Sequence, residues 1–143
     1  MSFVLAKGRA RLEWYPKVAS TAFTNGALVY ADGSGAIQPA DSTSGDHIGV
    51  IQKTIASTDS DYADTTMVPV LVPADDTEWD ATVASGTALT TAMVGNRYDL
   101  SDSLELNVGA TAKQVVTVTK FISATKARVK INAMIAVANV ATT

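Results

Sequence analysis

From Lys126 the chain alternates without a break. Lys126, Arg128, Lys130 and Asn132 fall on one side, and Ala127, Val129, Ile131 and Ala133 on the other, because successive side chains of a strand leave opposite faces. The run before it, Val115 to Ile122, is rich in β-branched and aromatic residues, which suit a pleated, half-buried surface. Ser123-Ala124-Thr125 is short and polar enough to join the two runs. The pattern over Lys113–Val137 therefore predicts a central β-hairpin with one face in the core and a row of cations on the other.

Upstream, turn signals recur at short intervals. Ala27–Tyr30 and Ala36–Gln38 read as a small hairpin around Asp32-Gly33-Ser34-Gly35. A strand is expected from His47 through Ile51 towards Ile55, and another over Met67–Val72. Pro69 and Pro73 lack an N–H, which predicts an edge or a bulge for the latter. Glu78–Val83, Arg97–Leu100 and Leu104–Val108 add further strands. Thr90 or Thr91 is placed to cap one helical turn through Met93, with Gly95 ending it. Residues 1–20 read as an extended arm, because Pro16 holds Tyr15 in extended geometry; the other reading is a first strand tucked against its own domain. The expected fold is all-β: a compact antiparallel sandwich or barrel over residues 21–143 as a single domain, with the 1–20 arm and one short helical turn. No repeat of fixed period is visible.

At 143 residues the chain fits one domain able to bury roughly 70% of its unfolded surface. The absence of cysteine excludes disulfides and thiolate chemistry. Met1–Ala6 is too short for the apolar core of a signal peptide, and no apolar run reaches membrane-spanning length, so synthesis in the cytoplasm and no membrane partner are expected. The net charge of -3 conceals segregation. Residues 1–20 carry four cations against Glu13, residues 21–112 carry Lys53 and Arg97 against 13 acids, and residues 113–143 carry five cations and no acid. Such segregation suggests subunits meeting through complementary surfaces, or a solvated surface clustered by chance. An acidic body also argues against nucleic acid as a partner.

Candidate chemistry is sparse. His47 is the single histidine, and no serine sits in a nucleophile-elbow pattern, so no Ser-His-Asp arrangement can be built. Asp59, Asp61 and Asp64 have spacings able to hold calcium. An EF-hand loop, however, needs glycine at its sixth position and glutamate at its twelfth, where Asp64 and Val70 stand. Asp75, Asp76, Glu78 and Asp80 read as acids on an exposed turn rather than a glycosidase pair, with only Trp79 as a sugar platform. Gly33-Ser34-Gly35 lacks the Gly-Lys-Ser/Thr of a phosphate loop. Neither catalytic residues nor a cofactor or metal site is expected.

The order of features resembles a family of tailed-bacteriophage capsid decoration proteins, also called cement or head-stabilising proteins. The resemblance rests on Gly26-Ala27-Leu28-Val29, His47-Ile48-Gly49-Val50 and Val68-Pro69-Val70. It continues through Asp76-Thr77-Glu78-Trp79-Asp80-Ala81, Val94-Gly95-Asn96-Arg97-Tyr98-Asp99-Leu100 and Phe121-Ile122-Ser123-Ala124-Thr125-Lys126, and covers most of residues 20–132. It implies a compact β domain, often a homotrimer, on the outer capsid surface of a virion. There it would bind the major capsid protein and cement neighbouring capsomers, with no enzymatic activity. On that reading Lys7, Arg9, Arg11, Trp14 and Tyr15 are candidates for capsid contact. Val68, Val70, Val72, Lys126, Arg128 and Lys130 are candidates for contact between subunits, and the apolar segment Met134–Val140 for a covered surface. The acidic loops 59–64 and 75–80 are expected to face solvent or a neighbour's basic strand. Two rivals are a carbohydrate-binding module, which requires Trp79, Tyr98 or Tyr62 aligned on one exposed face, and a small hydrolase using the Asp75–Asp80 acids.

Overall fold

A computed structural model describes residues 3–31, 33, 35–42 and 47–132. Among these residues eleven strands follow one another: β1 (Val4–Lys7), β2 (Ala10–Pro16), β3 (Leu28–Ala31), β4 (Ile37–Pro39), β5 (His47–Ile51), β6 (Met67–Pro73), β7 (Glu78–Val83), β8 (Arg97–Leu100), β9 (Glu105–Asn107), β10 (Val116–Ser123) and β11 (Lys126–Ile131). Among the described residues the one helical turn is a 3-10 turn at Thr91–Met93, preceded by Thr90 in extended conformation and followed by Gly95 at φ 90°. The expected all-β class is the observed one. Thr90 occupies the capping position, although its side chain makes no capping hydrogen bond.

The strands form a closed barrel and a second sheet. In the barrel the order is β7-β11-β10-β8-β9, and β9 returns to β7 through a parallel pairing, Thr82 with Glu105 and Val83 with Leu106. β1 lies on the β7 edge beside Glu78, Trp79 and Asp80, ahead of the stretch that β9 covers. The second sheet runs β2-β6-β5-β3-β4. A parallel bridge between Lys17 and Ile37, with Val18 N–H donating to Ile37 O at 3.0 Å, turns its last strand back towards its first.

The central hairpin forms as the alternation requires. β10 pairs with β11 from Val116–Ile131 to Ser123–Lys126, burying Ala127 and Val129. Trp79 lies opposite Val129 and is fully buried with Val116, Val118, Leu100 and Leu106. Leu28 and Val50 of the second sheet complete this core. A second cluster, Phe23, Ala27, Val29, Ile37, Ile48, Ile51, Ile55, Val68 and Val70, fills the other sheet. β5 ends at Ile51; Ile55 only bridges Phe23.

Of the two readings of residues 1–20, Val4–Pro16 shows the tucked one. β1 pairs with β7, and β2 pairs with β6 along its whole length. Together they make a long antiparallel ribbon that bends from one sheet into the other at Gly8. That residue has φ 80°, and a Cβ on it would stand 2.0 Å from Asp76 O, so only glycine fits this close crossing. Thr77 Oγ1 locks the bend, donating to Arg9 O and accepting from Ala74 N–H.

A second correction concerns β6. It lies between β2 and β5 and is not an edge. Its ladder with β5 covers only Val70 and Leu71, and Pro69 follows the last rung, with its carbonyl accepting from Gln52 N–H at 2.9 Å. The missing N–H therefore falls where pairing with β5 stops, which is how an interior strand accommodates proline. The edge is β2.

A candidate docking surface

The chemistry of β2 follows from which way each residue points. Lys17 N–H donates to Thr66 O across from it, so the odd-numbered residues of β2 direct their backbone groups to β6, and Ala10, Leu12 and Trp14 direct theirs away. Among the described residues, β2 has a neighbour on one side only until Val18 reaches β4. Its side chains divide as well. Tyr15 packs on the second core and Lys17 is fully buried. Leu12 and Trp14 face outward at 52% and 56% exposure. Across the ladder Leu12 opposes Leu71, Trp14 opposes Pro69 and Pro16 opposes Met67, itself 54% exposed. Leu71 is partly buried and packs on the barrel core, so the exposed apolar part of this face is Leu12, Trp14 and Met67, with Arg11 and Glu13 paired at 2.8 Å on the other face. Scattered exposed apolar residues are ordinary; a contiguous row on an edge ribbon is the mark of a surface that something covers.

This surface contains one of the predicted capsid contacts, Trp14. Lys7 stands at the end of β1, 3.8 Å from Glu78. Arg9 is at the bend, its N–H donating to Asp76 Oδ1 at 3.4 Å. Leu12 and Met67 were not singled out, although the uninterrupted apolar run Met67–Pro73 was the available signal, since a strand apolar at every position has both faces to cover. Of the predicted subunit contacts, Val68 and Val70 are fully buried in their own core and Val72 packs against it, so these three serve the fold.

The basic row of β11 also finds its partners within the chain. Arg128 Nε donates to Asp80 Oδ1 at 2.9 Å, which raises the guanidinium above its ordinary value. Lys130 Nζ donates to Asp75 O at 3.0 Å. Glu78 accepts from Thr119 Oγ1 at 2.7 Å. Lys126 remains exposed at the hairpin tip. Much of the charge segregation along the chain is thus resolved by β7 lying beside β11 and β1.

The remaining acids act locally. Asp59 Oδ2 accepts from Ala56 N–H, and Asp61 pairs with Lys53 at 3.0 Å, which holds its carboxyl below the usual range. Asp99 is buried and accepts three backbone hydrogen bonds, from Ala112, Lys113 and Gln114 at 3.1, 2.7 and 2.7 Å, fixing a loop in which Gln114 has φ 52°. His47 is buried at the start of β5. Among the described residues no three histidine, aspartate or glutamate side chains gather as a metal site would need, and no helix is long and apolar enough to cross a membrane. Trp79 and Tyr98 lie in the barrel core and Tyr62 against the second one, so they do not form the exposed aromatic face of a sugar-binding module. The segment Met134–Val140 lies outside the described residues.

Lys17 is the unusual buried charge. Its Nζ donates to Val18 O, Tyr62 O and Asp64 O at 3.0, 2.6 and 2.9 Å, and lies 6.0 and 5.9 Å from the rings of Phe23 and Tyr62. Burial pushes the ammonium down from its ordinary value, and Asp61 and Asp64 partly offset this. The lysine ties the 59–64 loop over the open end of the second core, a place where three converging carbonyls satisfy a cation. Comparison with protein-family models and with curated proteins gave no match.

Proposed function

We propose that the protein is a structural virion protein of a tailed bacteriophage. It binds the outer surface of the capsid, meets the major capsid protein through the outer face of β2–β6, and holds neighbouring capsomers together. The observation that carries this reading is the exposed row of Leu12, Trp14 and Met67 on a ribbon held rigid by two sheets. The series of sequence features that resembles decoration proteins supplies the capsid as the partner. Covering the exposed half of each of these side chains is worth about 1 kcal/mol or somewhat more before the cost of association is subtracted. One copy would bind modestly; copies engaged together on a lattice act at high effective concentration and need no larger contact. Cementing asks for shape, rigidity and adhesion from the chain.

The test is electron microscopy of undecorated phage shells incubated with the full chain. Density above the shell, repeated at equivalent lattice positions and contacting it through β2–β6, is the expected result. Bare shells at saturating protein would remove the proposal.

A further inference from the structure

Among the described residues the edge of β2 turned away from β6 is unpaired along Ala10–Trp14, and it carries a pattern that matches itself. Ala10, Leu12 and Trp14 point their N–H and C=O groups away from β6, and the chain between them reads Ala10-Arg11-Leu12-Glu13-Trp14. Suppose a second copy lays its own β2 antiparallel along this edge, about a twofold axis through Leu12. The two leucines then oppose each other, Arg11 opposes Glu13 of the partner subunit, and Ala10 opposes Trp14 of the partner subunit. Opposed residues whose backbone groups face each other exchange both of their hydrogen bonds. Each arginine meets a carboxylate across the strands, and each indole meets the smallest side chain in the segment. The neighbouring registers are worse. Centring on Glu13 sets two carboxylates against each other, and centring on Trp14 places Pro16, which has no N–H, opposite Leu12.

We infer that the protein forms a twofold dimer in which the β2 edges of two copies pair antiparallel about Leu12, with Arg11 of each facing Glu13 of the other. The dimer merges two five-stranded sheets into one and retires an edge that would otherwise invite uncontrolled pairing. It also joins the two outer faces, so that Leu12, Trp14 and Met67 of both copies lie on a single platform. The pairing does not depend on the capsid reading. It replaces the trimer that the family resemblance implies.

The test is the mass of the full-length protein in solution by light scattering, with folding followed by circular dichroism. Wild type is expected at twice its 14.9 kDa. Arg11→Glu and Glu13→Arg each set like charges across the axis and should weaken the dimer by about tenfold or more. The combined Arg11→Glu/Glu13→Arg variant restores the opposed pairs and should restore the dimer. Leu12→Pro removes an N–H that β6 does not use, so a folded monomer is expected. A wild type that stays monomeric would overturn the inference. A trimer would also overturn it, as would a double reversal that stays as weak as the single ones.

Discussion

The barrel and the second sheet have the same number of strands and bury similar side chains, yet they treat their edges and outer faces differently. The barrel closes through β9 on β7 and leaves β7 no free edge, and its exterior carries charges that meet within the chain, Arg128 with Asp80 and Lys7 with Glu78. Among the described residues the second sheet meets itself only at Lys17 and Ile37, leaving the β2 edge open along Ala10–Trp14 with Leu12, Trp14 and Met67 exposed beside it. Closure removes an edge as a site for pairing; an open edge with an apolar face keeps one. On the proposed reading the barrel is the support and the sheet the contact.

Substitutions should separate the two roles, and the largest effect belongs to the barrel. Trp79→Ala removes the largest fully buried side chain and should cost about 3–5 kcal/mol in denaturant unfolding, since the surrounding ring cannot collapse onto the space. Asp99→Ala strips three backbone donors of their acceptor and should cost about 2 kcal/mol, water recovering part of the loss at a loop that is partly exposed. Both should weaken shell binding only in proportion to the protein unfolded.

Lys17→Met probes the incomplete closure of the second sheet. It leaves three carbonyls without their donor and should cost about 2 kcal/mol at neutral pH. Its pH dependence is the sharper measurement. The folded ammonium sits below its ordinary value of 10.5, so on raising the pH the folded state sheds this proton before the unfolded chain does. Stability of the wild type should therefore rise with pH between that depressed value and 10.5. The same rise should be missing from Lys17→Met, and chemical denaturation across the alkaline range reads the difference. The smallest stability effect is expected on the outer face. Leu12→Ser and Trp14→Ser should each shift unfolding by no more than about 0.5 kcal/mol, because these side chains are already in water.

The barrel was the most legible part of the chain. Glu78–Val83 and the alternation from Lys126 each bury one face, so period and register agree; β7 matches its expected bounds and β11 begins at Lys126 as expected and ends at Ile131. Residues 1–20 divided evenly between arm and strand because their partner, β6, lies more than fifty residues away in the sequence, and local pattern carries no information on such pairing. β6 was misplaced for a related reason. Two prolines exclude an interior place only where the missing N–H would meet a paired neighbour, and at Pro69 pairing with β5 has already stopped. The charge segregation pointed outward to a partner, whereas folding brought Arg128 onto Asp80. Lys17 counted in the sequence only as one of the four cations of residues 1–20, and only the convergence of three backbone carbonyls explains its burial. The apolar outer face was half visible, in Trp14 but not in Leu12 or Met67, since their adjacency is a fact of register.

The most direct test of the account is to compare the wild type with a Leu12→Ser/Trp14→Ser/Met67→Ser variant for binding to undecorated shells by co-sedimentation. The account predicts a folded variant with a melting temperature close to the wild type's and shell binding weakened by about a hundredfold or more, as expected when three apolar contacts are lost together. A variant that binds as tightly as the wild type would contradict it.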